Sequence, residues 1–67
     1  MIDLASLLLA LDAARGAVFA TLTGDRDRAA QCLREAAEAA TKAFPSGSRE
    51  EYALTIVLGA ITEAAAS

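Results

Sequence analysis

The side chains in this sequence that could do chemistry are few, and their spacing does not favour catalysis. The chain has no histidine, so a catalytic triad or a histidine base is excluded and acid–base work would fall to carboxylates. Glu50 and Glu51 form such a pair, but adjacent helical positions do not converge on one substrate. No glycine-rich phosphate loop or EF-hand spacing is present. The sequence predicts a protein that is not an enzyme and holds no cofactor.

Cys32 is the single cysteine. It cannot form an intrachain disulfide, and without histidine the usual zinc ligand sets cannot be assembled. At the rim of an apolar helical stripe, a free cysteine usually behaves as a small buried hydrophobe. A reactive or dimer-bridging thiol is the alternative interpretation.

Two charged residues, Asp12 and Arg15, lie within an otherwise apolar first segment. At 100° per residue they share one side of a helix with three bulky residues, Leu4, Leu8 and Phe19. In one interpretation the two charges face solvent and the bulky side chains fold over the monomer. In the other, which we favour, the five residues form an interface in which Asp12 pairs with Arg15 of a second copy, as a two-fold contact allows.

Two turns divide the chain into three helical segments. Thr23-Gly24-Asp25 and Pro45-Ser46-Gly47-Ser48 contain the glycine, proline and helix-capping residues typical of such breaks. We therefore predict helices over residues 2–22, 26–44 and 49–65, the last opened by a capping box of Ser48 and Glu51. The fold class is all-α: one domain, residues 1–67, forming a three-helix antiparallel bundle.

Each helix has an apolar side to bury. In the first helix this side consists of alanines, and in the second it is a stripe with polar residues opposite: Ala29, Leu33, Ala36, Ala40 and Ala43. In the third helix we expect Gly59 to permit a close helix crossing, because glycine costs about 1 kcal/mol in mid-helix. Tyr52 either packs on the Phe44-Pro45 turn or anchors a partner.

The size and charge of the chain limit its partners. A single core in a chain of 67 residues rarely yields more than about 3–5 kcal/mol without disulfides, metals or association, so self-association is the aid that remains. The net charge of −3, with no dense Lys/Arg segment, disfavours nucleic acid. A membrane span would place Asp12 and Arg15 near its centre, at about 2.5–3.5 kcal/mol each. No basic residue precedes the apolar segment, so we expect a cytoplasmic protein without membrane contact.

One part of the sequence resembles a known helical repeat. The spacing of Gly24, Asp25, Ala29, Leu33 and Ala36 resembles the turn and second helix of a tetratricopeptide repeat. The pair Leu58-Gly59 is similar to the Leu-Gly of a following repeat's first helix, so the likeness covers roughly residues 13–62. The microtubule-interacting and trafficking domain is a related three-helix module of similar length. Either resemblance implies a helical hairpin plus one helix that binds a peptide or a helix.

These observations predict a small, non-enzymatic protein–protein interaction module, cytoplasmic and homodimeric. Its predicted interface comprises Leu4, Leu8, Asp12, Arg15, Phe19 and Tyr52. The alternative is a phage or bacterial regulator that docks on and silences an enzyme or transcription factor; one lysine against five arginines and no asparagine indicate a GC-rich genome of that kind.

Overall fold

The computed structural model describes residues 2–67 and folds them into three α-helices: α1 (Leu4–Leu22), α2 (Arg26–Ala43) and α3 (Arg49–Ala66). No strand occurs in this part of the chain. Helix α2 packs against both α1 and α3, whereas α1 and α3 touch each other sparsely. The predicted all-α three-helix bundle is confirmed.

Asp3 fixes the start of α1. Its Oδ1 accepts the backbone N–H groups of Ala5 and Ser6 at 3.1 and 3.2 Å, and its Oδ2 accepts the Ser6 hydroxyl at 2.9 Å. These bonds, that of the Ser6 hydroxyl above all, lower the pKa of the Asp3 carboxyl from its ordinary value of 3.8. The Asp3 N–H donates to the Ala43 carbonyl oxygen at 2.8 Å, so the start of α1 lies beside the end of α2. The predicted start at residue 2 is two residues early.

Gly24 allows the chain to reverse between α1 and α2. Its φ of 79° lies in the left-handed region, which glycine adopts without a Cβ clash. The Asp25 N–H donates to the Ala20 carbonyl oxygen at 2.9 Å, and the Asp25 carboxylate then accepts the Arg28 N–H at 3.1 Å. The predicted turn and its capping aspartate are confirmed.

Helix α2 ends one residue earlier than predicted. Phe44 has an extended backbone, with φ −121° and ψ 152°, because the ring of Pro45 disfavours a helical conformation in the residue before it. The last helical residue is therefore Ala43.

Ser48 caps α3 as predicted, but its glutamate partner binds a different donor. The Ser48 hydroxyl accepts the Glu51 N–H at 3.2 Å. The Glu51 carboxylate accepts the Gly47 N–H at 2.9 Å, not the Ser48 N–H of a regular capping box. The Ser48 N–H already donates to the Pro45 carbonyl oxygen at 3.1 Å. Helix α3 continues to Ala66, one residue beyond the predicted end.

The core of the bundle consists almost entirely of small side chains. Among the described residues, no bulky side chain is completely buried. The buried residues are Ala10, Ala17, Ala20, Ala29, Cys32, Ala36, Ala40, Ala43 and Leu58. Alanine lets helix backbones approach closely but buries little apolar area per residue, and hydrophobic stabilisation scales with that area. The burial within one chain therefore stabilises the fold only modestly.

Gly16, rather than Gly59, marks a close helix crossing. A Cβ atom at position 16 would lie 3.2 Å from the Cys32 Sγ, whereas one at position 59 would meet nothing within 4 Å. The expectation for Gly59 is wrong within this chain, because α3 directs Leu58 inward and leaves Gly59 exposed. Cys32 is buried, as predicted for a small hydrophobe.

Candidate interaction surface

The chain exposes more surface than a compact protein of its size. Its accessible area is 4704 Å², whereas a monomer of 6.9 kDa is expected to expose about 4,000 Å². The bundle is also flattened, with Cα extents of 36, 19 and 12 Å. A compact protein of this mass would therefore bury part of the surface that this chain exposes.

Most of the bulky apolar side chains contribute to this surface. Within residues 2–67 the exposed large hydrophobic residues are Ile2, Leu4, Leu8, Leu9, Leu11, Val18, Phe19, Leu22, Tyr52, Ile56 and Val57. Single exposed apolar residues need no explanation, but a contiguous apolar patch marks an interaction site. Eight of these eleven residues precede or belong to α1.

One side of α1, opposite its contact with α2, carries an uninterrupted line of exposed residues. We name it the outer row, and it consists of Leu4, Leu8, Leu11, Arg15, Val18 and Leu22. The steps along it alternate between four and three residues, so all six lie on one helical side. Phe19 lies beside the row and is also exposed.

The structure places the sequence-predicted residues of α1 together on this exposed side. Leu4, Leu8 and Phe19 do not fold over the monomer; 70% of Leu8 is accessible. Asp12 and Arg15 are exposed as well. The five residues therefore form one surface, and whether a second copy covers it stays a prediction.

Asp12 and Arg15 have no partners in the part of the chain that the structure describes. Among residues 2–67, no side-chain hydrogen bond or ion pair engages either of them. Arg15 lies in the middle of the outer row, between Leu11 and Val18, and Asp12 lies at its edge next to the groove between α1 and α2. Two opposite charges are thus available to a surface that packs on this side.

Sequence reasoning missed three members of the outer row: Leu11, Val18 and Leu22. Their alternating spacing was available as a signal. It was obscured because apolar residues occur all around α1, so no amphipathic pattern distinguishes the exposed side from the buried one.

Tyr52 does not join the surface on α1. It lies on α3 and is 70% exposed, so most of its side chain is accessible to a partner. The groove beside it is lined by α3 and the preceding turn, at Gly47, Ser48, Arg49, Glu51 and Thr55. Tyr52, Ile56 and Val57 form a second, separate set of exposed apolar residues, which we name the α3 patch.

By length and composition alone, α1 could cross a membrane. This indicates little by itself, because the core helix of a soluble protein or an N-terminal signal sequence has the same properties. Little of α1 is buried in the chain, so its apolar surface needs some other environment.

Within the described residues, no group of three or more potential metal-ligating side chains comes together. Comparison with protein-family models, curated proteins and solved structures finds no match. The exposed surface of this chain is therefore the feature from which its function is inferred.

Proposed function

We propose that this chain is a small, non-enzymatic protein–protein interaction module of the cytoplasm, which forms a homodimer through the outer row of α1. The observation that carries the proposal is the position of the bulky apolar residues. Most of them are exposed on the surface of the bundle, whereas the buried core is built from alanine, Cys32 and Leu58.

The size of the exposed surface supports association. The accessible area exceeds that of a compact monomer of this mass by about 700 Å², and a standard protein–protein interface buries about 800 Å² on each partner. The surplus is therefore close to one partner's share of such an interface. Covering it would add apolar burial that the alanine core does not provide.

The α3 patch favours a second candidate function, that of a regulator. Tyr52, Ile56 and Val57 lie on a different helix from the outer row, so a dimer formed through α1 leaves them accessible. Tyrosine is enriched among the residues that dominate binding energy at protein interfaces. Through this patch the dimer would dock on an enzyme or a transcription factor and silence it.

The resemblance to tetratricopeptide and microtubule-interacting modules supports the same class of function. Ala29 and Ala36, two positions that carry the resemblance, are fully buried, which is what small residues at a close helix contact require. Under this resemblance α1 and α2 form the helical hairpin, and α3 is the additional helix. Modules of this kind bind helices or peptides on their surfaces.

The experiment compares two neighbouring leucines of α1. Leu8 belongs to the outer row and Leu9 does not, although both are largely exposed, at 70% and 64%. We expect Leu8→Asp to reduce the solution mass measured by light scattering to that of a monomer, because a buried carboxylate at the interface is costly. Leu9→Asp should leave the mass unchanged.

Circular dichroism on the same samples shows whether each variant folds. If Leu8→Asp and Leu9→Asp have the same solution mass as the unmodified chain, and both are helical, the outer row is not the interface and the proposal is wrong.

A further inference from the structure

We propose that the outer row of α1 packs against α1 of a second copy in antiparallel orientation, so that Asp12 of each copy lies beside Arg15 of the other. This inference rests on the proposed function and specifies which surface of the second copy is bound. Three observations support it. The spacing of the outer row indicates which helix of the second copy is bound, the charges indicate the direction of that helix, and the exposed area indicates the size of the contact.

The spacing of the outer row matches that of a coiled-coil seam. The row contains two sets of residues, each of which recurs every seven positions. One set is Leu4, Leu11 and Val18, and the other is Leu8, Arg15 and Leu22. Such a row packs along its whole length against another helix with the same repeat. Helix α2 has a polar outer side, and the exposed row of α3 (Ala53, Val57, Ala60 and Ala64) has one bulky residue among alanines, so it offers less apolar surface than the outer row of α1. The matching surface available in a second copy is therefore its own α1.

The central arginine determines the direction. A parallel pair would place Arg15 opposite Arg15 of the second copy, and like charges across an interface oppose association. In an antiparallel pair with the two-fold axis at Ala13, Leu4 lies opposite Leu22 and Leu8 lies opposite Val18. Position 12 is then level with position 14 of the second copy.

This arrangement brings opposite charges together twice. Arg15 of one copy is displaced by one residue along the helix axis from Asp12 of the other copy, an offset of about 1.5 Å. Because the contact is isologous, the same pair forms on both sides of the axis. Phe19, level with position 7 of the other copy, packs next to Leu8 there. Two charges that have no partner among the described residues of one chain thereby each acquire one.

The exposed area is large enough for a contact between two α1 helices, and this contact leaves the rest of the surface uncovered. The pair covers one side of α1, and the excess area of about 700 Å² is close to the share per partner in a standard interface. Helix α2 then separates the new contact from α3. The α3 patch stays accessible for another protein.

An exchange of charges tests the pairing. Asp12→Arg leaves two cations on the exposed side of α1, and Arg15→Asp leaves two anions there. Like charges then face each other across the dimer, so each variant alone should dissociate at a concentration higher by about tenfold or more. Mixing the two variants should produce a heterodimer, detected by native mass spectrometry, since every contact is again between opposite charges. The double variant D12R/R15D has the composition of the unmodified chain and should again form a homodimer.

Cysteine cross-linking tests the direction. In a Cys32→Ala background, Leu4→Cys and Leu22→Cys should form an intermolecular disulfide only when the two variants are mixed. A parallel pair would instead cross-link each variant with itself, which would overturn the proposal.

Two further outcomes overturn it, and they distinguish failure of this pairing alone from failure of the proposed function. If the single charge variants associate as tightly as the unmodified chain while Leu8→Asp still dissociates the dimer, the function stands and the pairing of Asp12 with Arg15 is wrong. If the unmodified chain is monomeric and floats with phosphatidylcholine vesicles, a membrane covers the outer row and both proposals fail.

Discussion

Gly16 and Cys32 set the distance between α1 and α2. A Cβ atom at position 16 would lie 3.2 Å from the Cys32 Sγ, closer than ordinary van der Waals contact. Protein interiors are close-packed. In a core made mainly of alanines, this distance therefore affects how closely α1 and α2 pack along their whole length.

We predict that Gly16→Val destabilises the fold by about 1–3 kcal/mol, the usual cost of overpacking. The matched control is Gly59→Val, which should be neutral or slightly stabilising, because position 59 is open and valine is a better helix former than glycine. Urea denaturation at one protein concentration measures both. Adding Cys32→Ala to Gly16→Val should recover part of the loss. Strict additivity of the two changes would show that Gly16 and Cys32 do not interact.

Asp3 makes the stability of α1 sensitive to acid. The pKa of its carboxyl is lowered in the fold by the bond from the Ser6 hydroxyl and those from the Ser6 and Ala5 backbone N–H groups. Its contribution is therefore complete above its ordinary value of 3.8 and is lost as the pH falls through the lower value of the folded state.

We expect Asp3→Ala to lower the melting temperature at neutral pH, with the difference from the unmodified chain becoming smaller in acid, where the carboxyl is neutral. Asp3→Asn retains a good capping side chain that does not titrate, so its difference from Asp3→Ala should persist at low pH. Thermal melts followed by circular dichroism across the pH range test this. A constant difference between Asp3→Ala and the unmodified chain would contradict it.

At the scale of the helices, the turns and the buried alanine side of α1 were predictable, whereas the full extent of its exposed side was not. Gly24, Asp25 and Ser48 act locally, so their residue types alone predict where helices end and begin. The predicted end of α2 lies one residue late, because the prediction does not include the preference of Phe44, which precedes Pro45, for an extended backbone. The buried side of α1 depends on its neighbours, since nearly every position of this helix is apolar.

The attachment of α3 depends on few side chains. Leu58 is 8% exposed and is the one buried residue of this helix, while Leu54 and Ile61 are only partly covered. The apolar side of α3 is therefore buried only in part, because α3 contacts α2 but hardly contacts α1.

We predict that Leu58→Ala destabilises the fold by about 2–5 kcal/mol, as for other buried leucines. A core of this size rarely supplies more than about 3–5 kcal/mol, so this variant should be largely unfolded by circular dichroism. Ile56→Ala, at a position that is 55% exposed, should change the unfolding free energy by less than about 0.5 kcal/mol. Equal effects of the two substitutions would mean that Leu58 does not anchor α3.

At the scale of the whole molecule, the fold and the proposed function have one common cause. The buried core consists mainly of small residues and most of the large apolar residues are exposed, so one chain buries too little apolar area to be strongly stable. Association through the outer row would supply the missing burial, and it would make stability depend on protein concentration.

The measurement that tests this account most directly is the solution mass of the unmodified chain by light scattering over a dilution series, with helicity recorded on the same samples. We predict twice the monomer mass of 6.9 kDa at high concentration, and a joint loss of mass and helicity on dilution. A monomer that stays fully helical at every concentration would contradict the account, because the exposed row of α1 would then not be covered by a second copy.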